Sequence, residues 1–305
     1  MRRRSRQGGA IPPTEEVNAR SADLDLCSIR QIVARLHRED RRAFEAVSRA
    51  LSSVARAAET AAQALRTGGR LVYVGAGTSG RLGILDAAEC PPTFGTRPSQ
   101  IRALIAGGAP AVSRAVEGSE DDPRAGERAV RRARIGPKDF VCGISASSRT
   151  PFVLGALRAA RRLGARTALI CCSPPAGHAQ SDILIALNTG PELIAGSTRL
   201  KAGTATKLVL NAISTAALVS LGKVFRGRMV DLQPGSRKLR TRARRMVSEL
   251  TGLSQSGATA LLRRAGGQPR LALAMHFTGL NRSAAERELR RGGLRRLEKP
   301  PSGLG

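Results

Sequence analysis

The chain has 305 residues, 41% of them hydrophobic but only 2% aromatic, with no Trp and one Tyr. This excludes a disordered chain and predicts a globular core built from Ala, Val, Leu and Ile, in one large α/β domain with helical additions. The formal charge of +28 is mostly arginine spread over polar helix faces, and with so few aromatic side chains for stacking it reads as solvated surface rather than a nucleic-acid surface.

In chain order, Phe44, Val47, Leu51, Val54, Ala58, Ala61 and Leu65 step by three and four, which predicts one long amphipathic helix stopped at Gly68-Gly69. RLVYV (70–74) reads as a buried strand, and TSGRLGILDAAE as a short helix that Pro91-Pro92 terminates. IRALIA (101–106) is a second strand, followed by a helix over APAVSRAVEG (109–118). FVCGI (140–144), RTALICC (166–172) and DILIAL (182–187) complete the strands, with a helix over TPFVLGALRAARRLG between the first two. Strands alternating with helices predict a mostly parallel five-stranded sheet covered on both faces.

The segment 197–225 reads as one long, deeply buried helix, and 236–305 as a small C-terminal helical subdomain. The expected domains are an N-terminal arm with helices (1–50), the α/β domain (51–235) and that subdomain (236–305). No apolar run reaches the ~18 residues of a membrane span, and MRRRSRQGGAIPP lacks the apolar core of a signal peptide, so a cytoplasmic location is expected. Five cysteines without C-x-x-C read as reduced structural thiols, and three scattered histidines, His37, His178 and His276, give little support for a metal site.

Gly75, Gly77 and Gly80 carry the G-x-G-x-x-G spacing of a dinucleotide turn. Such a site also needs a carboxylate at the end of the next strand, where this chain has Ala106-Gly107-Gly108, which argues against NAD. The loop instead carries Thr78 and Ser79, and hydroxyls with backbone N–H groups at a helix start suit a phosphate monoester. ISASSRTP (144–151) repeats that chemistry with Ser145, Ser147, Ser148 and Thr150. Each hydroxyl alone reads better as a helix N-cap; the cluster at one sheet edge points to a ligand.

These two loops resemble the sugar-phosphate loops of the SIS (sugar isomerase) domain, which implies a three-layer sandwich. GAGTSGRLGILDAAECPPTFG, AVEGSEDD and GPELIAGSTRLKAGTATK more specifically resemble the N-acetylmuramic acid 6-phosphate etherase family, related to the glucokinase regulatory protein, from TEEVNARSADLD almost to the C-terminus. Ser148 departs from the resemblance, standing where the family usually has Gly.

Glu89 and Glu120 read by themselves as solvated carboxylates at a helix end and in an acidic turn; the resemblance makes them the catalytic pair. It implies cleavage of a D-lactyl ether in cell-wall sugar recycling, with Glu120 as base at C2, Glu89 as acid at the leaving oxygen, and no metal or redox cofactor. It implies a phosphate held by Thr78, Ser79, Ser145, Ser147 and Thr150. Ser197, Arg199 and Lys201 are candidates for sugar or carboxylate contacts, the two cations also reading as partners of neighbouring charges. Glu192 is either a ligand contact or a structural hydrogen-bond partner. The resemblance further implies a homodimer, with the segment around Glu15 and Asn18 reaching toward the partner's site. The alternative function is a non-catalytic sugar-phosphate sensor.

Overall fold

The computed structural model describes residues 11–175, 181–232, 237–291 and 293–298. They divide into two units. One takes everything described up to Asp86 together with Ile101–Ile213, the other Ala87–Gln100 together with everything described from Ser214 onward. The expected boundary at 235/236 and His178 lie outside the described residues.

In the first unit, short 3-10 turns at Pro13–Glu15, Ala19–Ser21 and Leu24–Leu26 lead into α1 (Ile29–Arg49). A capping box starts α1: Ser28 Oγ accepts the Gln31 N–H while the Gln31 side chain accepts the Ser28 N–H. The single helix expected over 44–65 is corrected to two, because the chain leaves helical geometry at Ala50 (φ −102°, ψ 1°) before α2 (Leu51–Arg66). Apolar residues keep their three-and-four spacing across that break, so periodicity alone does not report it. Phe44 and Leu51 beside it are exposed.

Next come β1 (Leu71–Gly75), α3 (Gly77–Phe94), β2 (Ile101–Ile105), α4 (Pro123–Arg132), β3 (Phe140–Ile144), α5 (Pro151–Arg162), β4 (Arg166–Cys171), β5 (Ile183–Ala186) and α6 (Lys201–Ser220). The strands form one parallel sheet in the order β2-β1-β3-β4-β5. One face packs Val72, Val74, Val141 and Leu169 against Val130 of α4 and Phe152, Val153, Ala156 and Leu157 of α5. The other receives α3, whose Gly83 backbone lies so close to Tyr73 that a Cβ there would sit 2.9 Å from the tyrosine Cβ. The Tyr73 hydroxyl donates to Asp86 at 2.8 Å, giving the buried phenol a partner.

Three other expected helices also differ from the structure. First, α3 runs through Pro91 and Pro92 to Phe94. The prolines remove two hydrogen bonds only in its last turn, and Gly95 (φ +65°) closes the helix by donating to Pro91 O at 2.9 Å. Second, the helix expected over 109–118 is only a 3-10 turn at Ala109–Val112. Val112 and Val116 are exposed there, and Arg81 takes the carbonyls a helix would use internally. Beyond it the sequence reading omitted α4, although Asp122 accepts the Ala125 N–H at 3.0 Å and Pro123 opens the first turn. Third, α6 is shorter than expected at both ends, and Val224–Phe225 is a strand instead.

In the second unit that strand, β6 (Val224–Phe225), pairs antiparallel to β7 (Arg228–Met229). Helices α7 (Arg237–Thr251), α8 (Gln255–Arg264), α9 (Pro269–Thr278), α10 (Arg282–Arg291) and α11 (Leu294–Leu297) follow. Phe225, Val230, Leu232, Met246, Val247, Leu261, Leu271 and Leu273 form their core. Asp231 ties it together, bonded to Lys223 at 2.6 Å and Arg270 at 3.2 Å.

Candidate functional site

Gly75 at the end of β1 stands in register with Ile144 at the end of β3. The strand order reverses direction at this pair, and α/β sheets bind ligands outside the carboxyl ends of strands at such a point. The two hydroxyl loops leave from there, side by side.

In the first loop α3 starts at Gly77, so Thr78 and Ser79 stand in its first turn, both half-buried, among amides without helical partners. The glycine spacing has a packing cause. A Cβ on Gly75 would lie 2.6 Å from the Gly80 nitrogen, and one on Gly80 would lie 2.5 Å from Ile105 Cγ1. Strand and helix backbones touch here, which any phosphate-binding turn of this build requires, whatever it binds.

In the second loop the Ser145 and Thr150 hydroxyls lie 2.8 Å apart, with Ser145 Oγ also accepting the Thr150 N–H at 3.3 Å. Ser147 is half-buried and its Oγ accepts the Arg149 N–H. Ser148 has φ +63°, left-handed backbone that favours Gly. Its buried hydroxyl donates to Pro174 O at 2.9 Å, which anchors the loop to the segment after β4.

Glu120 joins these loops. Its carbonyl accepts the Phe152 N–H at 2.9 Å, two residues after Thr150, and its exposed residue lines a cavity of about 190 Å³ with Ala76, Gly77, Arg81 and Ser119. The bond is held by close packing of α4 on α5: a Cβ on Gly126 would lie 2.0 Å from Phe152 O, and one on Gly155 2.1 Å from Pro123 O. Glu89 is exposed, on the part of α3 that belongs to the second unit.

The 191–202 segment is built around a buried charge network. Glu192, 1% exposed, accepts the N–H groups of Ala202 at 2.9 Å and Lys201 at 3.3 Å, and so caps α6. Burial raises its pKa above the usual carboxylate range, against the opposing pull of those amides and of Lys201. This is the structural of its two sequence readings. Lys201, also 1% exposed, places Nζ 2.6 Å from Glu39 and against Pro191 O. Its ammonium therefore has a charged neighbour in Glu39.

Glu39 also meets Asn18 at 3.3 Å and Arg20 at 3.0 Å. Burial works against its ionised form, but hydrogen bonds from Lys201 and Arg20 outweigh burial and hold its pKa below the usual value. Sequence reading missed Glu39, since one acid within HRED on a basic helix carries no distinguishing pattern. Asn18 also donates to Pro191 O at 3.1 Å, and Gly196 N–H to Thr14 O at 3.0 Å, so the N-terminal segment packs on its own chain here. Glu15 lies beside Gly196, its Oε2 2.7 Å from where a Cβ would stand. Ser197 is half-buried and Arg199 exposed. A Cβ on Gly203 would lie 3.8 Å from Thr78 Cγ2, which brings the start of α6 against the first loop.

All five cysteines are free thiols. Burial pushes Cys142, Cys171 and Cys172 up to about 12, which leaves them inert at neutral pH. Among the described residues no group of three His, Cys, Asp or Glu is placed to hold a metal ion. α6 is long and apolar enough to cross a membrane by composition, but half of that stretch is buried inside the protein.

A model of the glucokinase regulatory protein N-terminal SIS domain matches residues 53–161. The N-acetylmuramic acid 6-phosphate etherase of Trichormus variabilis is 51% identical over 277 residues, 90% of each chain. That of Geobacillus thermodenitrificans is 47% identical over 263 residues, 86% of this chain and 89% of the relative. Among solved structures, a phosphoheptose isomerase from Francisella tularensis superposes with TM-score 0.50 at 17% identity, covering 63% of this chain and 98% of that one, a likeness of fold alone. With about half its residues identical over nine-tenths of both chains, and with an open parallel sheet carrying two hydroxyl loops at its switch point, the chain belongs to the N-acetylmuramic acid 6-phosphate etherase family.

Proposed function

We propose that the protein cleaves the D-lactyl ether of N-acetylmuramic acid 6-phosphate, giving N-acetylglucosamine 6-phosphate and D-lactate, in the recycling of cell-wall sugar. The observation that carries this reading is the Glu120 carbonyl bonded to the Phe152 N–H. It keeps one carboxylate-bearing loop beside the second hydroxyl loop, and the cavity that Glu120 lines together with Gly77 puts it beside the first.

The phosphate sits against Ser79, Ser147 and Thr150, with Thr78 and Ser145 completing the cradle and the first amides of α3 donating to its oxygens. In the open-chain sugar the C1 aldehyde acidifies the C2 proton. Glu120 removes that proton, the electron pair forms the C2–C3 double bond, and the C3–O bond breaks as Glu89 protonates the departing lactyl oxygen. Water then adds at C3, giving one proton to Glu89 while C2 takes one back from Glu120. Every proton is returned, so the two carboxyl groups end as they began and no redox step occurs. Ser197 contacts the sugar, while Lys201 and Glu192 hold the start of α6 in place.

The reading further includes a homodimer, no membrane or nucleic-acid partner, and action in the cytoplasm. The experiment is to incubate the pure protein with N-acetylmuramic acid 6-phosphate and assay D-lactate. Stoichiometric lactate is expected. A folded protein that binds the sugar phosphate but releases none is instead a sensor, the reading favoured by the regulatory-protein SIS match.

A further inference from the structure

Arg81 follows the first hydroxyl loop by two residues on α3, yet it makes no ion pair among the described residues. Its half-buried guanidinium is used on backbone carbonyls: Nε donates to Ala111 O and Val112 O, each at 3.0 Å, and Nη2 to Arg114 O at 2.9 Å. In a helix those oxygens would accept the N–H groups of residues 115, 116 and 118. Held by Arg81 instead, the segment stays a loop from Ser113 to Asp122, and Glu120 is near its end.

We propose that Arg81 is a positioning residue for Glu120, fixing the register of the base-bearing loop against the helix that starts the phosphate cradle. The proposal rests on the proton-abstracting role given above to Glu120. The loop is pinned at two places, by Arg81 near its start and by the Phe152 N–H on Glu120 itself. Only the first pin comes from α3. A single side chain therefore links the phosphate-binding turn to the loop carrying the base, and both line the cavity of about 190 Å³. The planar fork of an arginine reaches three carbonyls at once, whereas a lysine ammonium on a flexible stem reaches fewer in less defined geometry.

The test uses the full chain as wild type, Arg81→Lys and Arg81→Ala. Amide hydrogen exchange over 109–120 is measured without substrate, then kcat, KM and the pH profile of kcat/KM for lactate release. Arg81→Ala is expected to speed exchange in 109–120 while leaving the five strands protected. It is expected to lower kcat about 100-fold, the scale set by an ångström of misplacement, and to leave KM within a few-fold. Its pH profile should change on the limb that reports the base. Arg81→Lys should recover part of kcat and part of the protection.

Unchanged exchange in 109–120 would overturn the proposal, and so would a rise in KM with kcat intact, which would make Arg81 a phosphate contact. If Arg81→Ala does not fold, Arg81→Lys is read by the same criteria. If the wild type releases no lactate, the etherase reading fails, while the exchange measurement still decides whether Arg81 holds the loop.

Discussion

The backbone N–H of Phe152 donates to the backbone carbonyl of Glu120 at 2.9 Å, joining the first turn of α5 to an acidic turn 32 residues earlier in the chain. Because α5 follows the second hydroxyl loop directly, the backbone of Glu120 is held by the same helix whose N-cap residue is Thr150, with its hydroxyl 2.8 Å from that of Ser145. Gly126 and Gly155 make this closeness possible, since a side chain on either would collide with a backbone carbonyl. Gly155→Ala is expected to separate α4 from α5 and to cost lactate release more than stability would suggest. Comparing kcat with the thermal midpoint checks this: a variant that loses stability but retains kcat would show that α4 does not hold Glu120.

Lys201 and Glu39 form an ion pair with both side chains almost wholly buried. Removing one member of such a pair typically costs about 3–5 kcal/mol because the other is left uncompensated. Lys201→Met is expected to fall in that range or toward its lower end, since Arg20 still reaches Glu39. Urea titration measures it. Stability within about 0.5 kcal/mol of wild type, the scale of an exposed substitution, would return Lys201 to the ligand contacts.

Two separate ion pairs, at Glu39 and at Asp139, set an acid limit on stability. Glu39 and Asp139 have pKa values held below the usual range, Asp139 by its Arg70 pair at 2.6 Å outweighing burial. Each therefore contributes stability that is fully present above its unfolded pKa, near 4, and is lost as pH falls through the lower folded value. Glu192 has the opposite sign: its raised folded pKa makes ionisation cost stability as pH rises through it. Thermal midpoints across pH 3–7 should fall steeply only below about 4, and less steeply for Glu39→Gln. An unchanged slope in that variant would remove Glu39 from the cause.

Ser148 adopts φ +63° where the family resemblance expects Gly. Left-handed backbone costs a non-glycine residue roughly 1–2 kcal/mol, and the Ser148 hydrogen bond to Pro174 O returns about 1 kcal/mol. Ser148→Gly is thus expected to leave stability within about 1 kcal/mol of wild type. Weaker binding of inorganic phosphate with intact folding would be the sign that the serine anchors the loop. Tighter binding would mean that it narrows it.

Much of the framework around the candidate site is legible from sequence because its parts are short and local. Strand, hydroxyl loop and helix follow one another twice, and the parallel register then makes the two loops neighbours. What stayed hidden depends on distant partners. Nothing in APAVSRAVEG tells that Arg81, some thirty residues earlier, occupies its carbonyls and prevents a helix. The break at Ala50 hides in an unbroken apolar stripe, and Pro91-Pro92 misled because two prolines are tolerable in a last turn that Gly95 closes. Glu39 has no local signal at all, and its meaning comes from Lys201, 162 residues away.

The most direct measurement is deuterium incorporation at C2 of N-acetylmuramic acid 6-phosphate in D2O, followed with D-lactate release in Glu89→Gln and Glu120→Gln. Glu89→Gln is expected to exchange the C2 proton while releasing almost no lactate, because in the proposed assignment the base remains and the acid is gone. Glu120→Gln is expected to do neither. Exchange by Glu120→Gln, with none by Glu89→Gln, would contradict the assignment of the base to the loop that Phe152 holds.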